Sequence, residues 1–327
     1  METGIFLKNC TSSLKCTLKV LGIVIFCKKI DGGVEMSLVN LEYLFEEPTN
    51  LNEESLPDYA SLDFLSNGSH IYGEIMWPHN LKEKRHPCVI MLHGFPGSAR
   101  NDDISHALCR IGCVVIVPHH RGAWGSQGKY LITHCVEDAV NLANYAHSKE
   151  FLEKYNVQEN QIYLLGHSMG GNSALNAGKN LDFIRGIIML APYDPTCFLR
   201  LGKAAYMKAL LNEGKILNSD GIDSIYEDIV ENSEKLAFPN AFDSVKEKNL
   251  LIFEAKYDTV SSNEEMIHPL WKKLIQYREE NQNHKNDDEE LPLQKLVEYP
   301  VEHGLLGRRI SIIREIANFI KITGDAK

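Results

Sequence analysis

No C-x-x-C pair occurs among the eight cysteines, Cys10, Cys16, Cys27, Cys88, Cys109, Cys113, Cys135 and Cys197, and several of them sit in apolar runs. That argues against a zinc site or a disulfide frame and for buried free thiols in a reducing cytoplasm. Basic residues are in deficit: 34 Lys and Arg stand against 44 Asp and Glu, and the resulting net charge of −10 disfavours nucleic acid or an anionic membrane as a partner. No internal repeat is evident, and no apolar run reaches the roughly 20 residues of a membrane-spanning helix.

The nearest approach to such a run is Val20–Cys27, which follows Lys8, Lys15 and Lys19 in the order of a signal peptide. It ends in Cys27-Lys28-Lys29 without an A-x-A site, and Phe26 stands where a lipoprotein signal wants a small residue. A cytoplasmic location is expected, with export or anchoring through this stretch the minor reading. Gly32-Gly33 lies just upstream of Met36, where glycine codons can spell a ribosome-binding site. Met36 is therefore read as the natural start and residues 1–35 as an extension of uncertain status. An intact mass from the native gene that begins at Met1 ends that reading.

What is present points to one large α/β unit. With 327 residues, 44% of them hydrophobic, the chain has enough apolar material for a sizeable core. Its organising stretch is Gln161–Gly178. The apolar run Ile162–Leu165 reads as a strand, Gly166-His167-Ser168-Met169-Gly170 follows, and the small residues Gly171, Ser173, Ala174 and Ala177 begin a helix. A strand, G-x-S-x-G and a helix make a nucleophile elbow. The serine must sit on a strained turn so that its hydroxyl stands clear, and glycines on either side let strand and helix close together. The new helix N-terminus aims N–H groups at developing negative charge.

Around it strands and helices alternate. Ala60–Ser66 and His70–Trp77 flank Asn67-Gly68-Ser69 as a hairpin. Buried strands are expected at Cys88–Leu92, Cys113–Pro118, Gly186–Leu190, Leu250–Glu254 and Gln294–Tyr299, and helices at Asp102–Ile111, His134–Ser148, Glu264–Glu280 and Ser311–Ile322. Gln282–Glu290 is a charged loop or helix extension. The alternation implies βαβ units in an eight-stranded, mostly parallel sheet. Tyr193–Lys248 interrupts it, with Leu199–Leu211 and Ile222–Val230 the best helical segments. The expected domains are a core over 36–192 and 249–327 and a helical cap over 193–248.

A serine nucleophile needs a base, and the base needs a carboxylate. In open α/β sheets working residues sit at the carboxyl ends of strands. His93, His119, His120, His167 and His303 meet that condition, and His303 alone follows a late strand, with Gly304 behind it. Asp258 and Asp194 are the carboxylates at strand ends after Ser168. Asp194 adjoins Pro192 and Pro195 and is the second choice, with shaping the turn into the cap as its structural role. His119-His120 is read as packing rather than a metal site, Arg121 as a structural ion pair, and His167 as packing beneath the elbow. Trp124 either lines an acyl pocket or anchors its loop; Tyr193 is the other pocket candidate.

The order Ser168, Asp258, His303, with His93-Gly94 on an earlier strand, resembles the α/β-hydrolase superfamily from about Ala60 to Ile322. The stretches His93-Gly94-Phe95-Pro96-Gly97 and Arg121-Gly122-x-x-Gly125-Ser126-x-Gly128 are similar to its prolyl-oligopeptidase-like and dienelactone-hydrolase-like branches. The chain has no β-propeller domain, and His120 stands where those peptidases often carry tyrosine; both departures count against peptidase activity. The resemblance implies that Ser168 attacks an acyl carbonyl, His303 relays the proton and Asp258 orients the imidazole. Backbone N–H groups of Met169 and Phe95 hold the oxyanion, since Pro96 has none to offer. The expected activity is ester hydrolysis through an acyl-serine, without cofactor or metal, on a small-molecule acyl substrate. A peptidase or amidase on short peptides is the alternative, and a non-catalytic binding protein of the same fold the second.

Overall fold

The computed structural model describes residues 16–20, 23–27, 37–49, 51–98, 100–204, 206–207, 214–281 and 291–325. The chain divides into two units, Met1–Met36 and Ser37–Lys327. In the first, strands β1 (Cys16–Val20) and β2 (Ile23–Cys27) pair antiparallel, Cys16 opposite Cys27. The rest of the 1–35 extension and the charged stretch at 282–290 lie outside the described residues. Among the described residues no helix is long and apolar enough to cross a membrane.

The second unit is built on the eight-stranded sheet expected. Its strands are β3 (Asp58–Ser66), β4 (Ser69–Trp77), β5 (His86–Leu92), β6 (Val114–Pro118), β7 (Val157–His167), β8 (Ile184–Leu190), β9 (Asn249–Ala255) and β10 (Gln294–Tyr299). They lie in the order β10-β9-β8-β7-β5-β6-β4-β3. The β3–β4 hairpin is antiparallel, and β4 also runs antiparallel to β6; every other neighbouring pair is parallel. Asn67 (φ 45°) and Gly68 (φ 81°) make the two-residue turn, both with the positive φ that the tightest hairpins need.

Successive residues of the central strands feed opposite faces, the period-2 rule that made these runs apolar throughout. Ile162 and Leu164, Ile187 and Met189, and Leu250 and Ile252 join one cluster with Leu142 and Ala143 of helix α2 (Ile132–Ala146) and with Phe151 of α3 (Lys149–Lys154). Leu175 of α4 (Met169–Gly178) joins it too. Tyr163 and Leu165, Ile188 and Leu190, and Leu251 and Phe253 face the other cluster, with Leu108 of α1 (Asp102–Ile111) and with Ile316 and Phe319 of the closing helix Arg309–Asp325. Each such fully buried side chain stabilises by about 1.5–3 kcal/mol, so the sheet holds its edge rigidly where loops must carry chemistry.

One expected helix differs. Glu264–Glu280 is broken into Asn263–Met266 and His268–Asn281. Pro269, which donates no N–H, sits in the first turn of the second piece, where a missing donor costs nothing. The segment expected at Leu199–Leu211 opens on a 3-10 turn, Leu199–Leu201, and is helical at 203–204 and 206–207, beyond which it leaves the described residues until 214. Within 193–248 the longest described helix is Ile222–Glu231. Its Ile225 and Ile229 pack with Tyr206, Leu217 and Leu236 over Ala123, Tyr130, Ile132 and Met169. Phe238, Ala241 and Val245, further along, belong to the main core.

Candidate active site

The elbow is built by crowding. A Cβ on Gly166 would lie 1.9 Å from the Gly170 carbonyl oxygen, so only glycine lets α4 turn back across the end of β7. Ser168 between them has φ 56° and ψ −121°, a strained backbone for a residue with a side chain, of a kind that costs on the order of 1–3 kcal/mol. Three hydrogen bonds hold it there. The Ser168 N–H donates to Leu190 O at 2.9 Å, and its carbonyl accepts from Gly171 N at 2.9 Å and Tyr193 N at 3.0 Å.

Ser168, Asp258 and His303, spread over 136 positions of sequence, converge at the carboxyl edge of the sheet. His303 Nε2 lies 2.9 Å from Ser168 Oγ, and Nδ1 lies 2.7 Å from Asp258 Oδ2. The second carboxylate oxygen, Oδ1, accepts from Val260 N and Ser261 N, each at 2.8 Å. With the carboxylate so fixed, Nδ1 carries the proton toward Asp258, and Nε2 is left free to accept from the serine hydroxyl. Burial pushes the Asp258 carboxyl up, but the bonds from His303, Ser261 and Val260 outweigh it and hold it below the usual carboxylate range.

The early loop lies directly over the elbow. A Cβ on Gly94 would be 2.9 Å from His167 O, 3.0 Å from Ser168 Cβ and 3.6 Å from Met169 N. That brings the chain entering Phe95 beside the first N–H of α4. His93 locks this loop: its Nε2 accepts from His120 N at 3.1 Å, so its Nδ1 carries the proton donated to Gly94 O at 2.8 Å. Burial, then the neighbouring His120, hold the His93 ring well below the ordinary imidazole range, so it stays neutral and keeps this pattern. From outside, Trp124 Nε1 donates to Pro96 O at 3.1 Å. The indole is half exposed, so it anchors the loop and also faces solvent beside the site.

The remaining candidates fall elsewhere. Asp194 is buried and engaged elsewhere than at His303: it accepts from Thr196 N (2.9 Å), Thr196 Oγ1 (2.7 Å) and, across the base of the insertion, Phe238 N (2.8 Å). Arg121 is buried in an ion pair with Asp138 at 2.7 Å and with Glu137 at 2.6 Å. His120 stands 3.7 Å from the same Asp138, which ties this loop to α2 rather than to the nucleophile. Tyr193 is half-buried against Phe198 under the insertion. One contact had no sequence signal beyond its place beside the serine: His167 Nε2 lies 3.0 Å from the main-chain oxygen of His303.

Residues 83–218 match the family model described as Hydrolase_4, serine aminopeptidase, S33. Among solved structures, Est1E from Butyrivibrio proteoclasticus with ferulic acid bound aligns with a TM-score of 0.59 at 20% identity, covering 80% of this chain and 99% of that one. The fold is that of the α/β hydrolases. A hyperthermophilic esterase from the archaeon Pyrobaculum calidifontis shares this α/β-hydrolase fold (TM-score 0.53, 17% identity, 82% of this chain and 87% of that one). So does a putative dipeptidyl aminopeptidase IV from Bacteroides ovatus (TM-score 0.57, 14% identity, 82% of this chain and 36% of that one). No curated protein matches the chain. Family match and fold support a serine hydrolase of the α/β-hydrolase fold.

Proposed function

We propose that the protein hydrolyses small to medium carboxylic esters through a covalent acyl-Ser168 intermediate. The observation that carries this reading is the hydrogen-bonded chain Ser168–His303–Asp258, assembled at one sheet edge from the ends of three strands. Ser168 Oγ attacks the acyl carbon as its proton passes to His303 Nε2. The oxyanion is taken by the N–H groups of Phe95 and Met169, each worth roughly 3 kcal/mol in such a site. Collapse expels the alcohol, which leaves with the proton from Nε2. Water then gives its proton to Nε2, its oxygen attacks the acyl carbon, and the C–Oγ bond breaks as the proton returns to Ser168.

A peptidase acting on short peptides is the second reading, favoured by the serine aminopeptidase family model and by the Bacteroides ovatus neighbour. Esters are preferred because an aminopeptidase must hold a free ammonium group. Asp194, the buried carboxylate nearest the elbow in sequence, is spent on Thr196 and Phe238 instead. A binding protein without catalysis is disfavoured by the intact hydrogen-bonded chain. Turnover of a short-chain nitrophenyl ester should exceed that of an aminoacyl nitroanilide by at least tenfold in kcat/KM. Rapid anilide turnover with none of the ester overturns the preference, and a folded protein that resists a fluorophosphonate label favours the binding reading.

A further inference from the structure

We infer that His167 is a positioning residue: its ring N–H, donating to the main-chain carbonyl of His303, sets the loop that carries the base against the turn that carries the nucleophile. The inference rests on the serine-hydrolase reading and deepens it.

The donor is assigned by chemistry. A carbonyl oxygen can only accept, so Nε2 of His167, 3.0 Å away, carries a proton. The ring is only 6% exposed and packs against the His303 ring with centroids 5.2 Å apart, so it has no room to swing aside. The partner loop needs such a tie. His303 hangs from β10, the outermost strand of the sheet, while Ser168 follows β7 near its centre. Within the loop, Leu305 N bonds Glu302 O and Leu306 N bonds Glu302 Oε1, which shape it without locating it. Tyr257 N to Val301 O and the Asp258 contact join it to the neighbouring β9 loop. Among the described residues, the bond from His167 is the one that runs from the main chain of the base loop to the strand of the nucleophile. An error of about 1 Å between base and nucleophile costs on the order of a hundredfold in rate, so this bond acts on kcat.

The test compares His167→Phe, which keeps a ring and loses the donor, with His167→Gln, which offers an N–H at similar reach. Active sites are titrated with a fluorophosphonate so that loss of folded protein is not read as loss of rate. Per titrated site, His167→Phe should lose ten- to a hundredfold in kcat and in labelling rate with KM within twofold, and His167→Gln should recover to within threefold of wild type. A Phe variant at wild-type kcat, or a Gln variant as slow as Phe, overturns the inference. Wild type that neither labels nor turns over ester or anilide fails the hydrolase reading instead. In that event, or if the variants do not fold, the imidazole ¹⁵N–¹H spectrum of wild type decides: a slowly exchanging Nε2 proton on His167 is expected, and an unprotonated Nε2 overturns the assignment.

Discussion

Ser168 and His303 depend on each other, so their losses should not add. Ser168→Ala and His303→Ala should each lower kcat by roughly 10⁴-fold or more, and the double variant should be little worse than either. Asp258→Asn should cost less than either. Asp194→Asn should leave kcat within threefold and lower the melting temperature, because its carboxylate holds two backbone donors and a hydroxyl rather than an imidazole. A silent Asp258→Asn with a crippled Asp194→Asn would exchange the two assignments. At this scale the order of Ser168, Asp258 and His303 was legible because each follows a strand end, a rule of topology that sequence alone can apply. The bond of His167 to His303 was not, since nothing local marks a contact across 136 positions.

Among elements, the interiors were readable throughout and the ends only where a residue type marks them. Asp102–Ile111 and Gln294–Tyr299 stand where periodicity put them, because apolar spacing and a following Gly112 or Pro300 mark their limits. Helix α2 instead begins at Ile132, two residues before the expected His134, with no side-chain cap of its own. One free backbone donor of its first turn is met from the insertion: Thr133 N bonds the Asp228 carboxylate, 95 residues away, and Thr133 Oγ1 bonds it too. Asp228→Ala should therefore act like the loss of a helix cap and destabilise the fold by about 1–2 kcal/mol. Urea unfolding checks this; an unchanged midpoint would mean that the insertion does not brace α2. Arg121 was legible as an ion-pairing residue, but its partner Asp138, 17 residues on, was not, because no local pattern marks which carboxylate the loop meets.

Over the molecule as a whole, several imidazoles are enclosed in neutral form, and that sets a direction for acid stability. Burial lowers His119 and His167 from the ordinary 6.5 to about 4. Between those values the unfolded chain binds protons that the folded one refuses, so stability is full above about pH 6.5 and falls as pH drops toward 4. His167 alone should cost on the order of 2 kcal/mol at pH 5. The urea midpoint should thus fall between pH 7 and pH 5, and His167→Phe should flatten part of that slope. A midpoint that does not move would show that these rings are wetter than their burial implies.

Asp194 has a consequence at the same scale. By gripping Thr196 on one side and Phe238 on the other, it draws shut the neck of a loop some forty residues around. The chain therefore leaves and rejoins the core at one point, so a residue added between Thr196 and Phe238 lengthens the excursion without pulling on the strands at either side. What it disturbs is the packing over Ala123, Tyr130, Ile132 and Met169 and the Asp228 bond to α2.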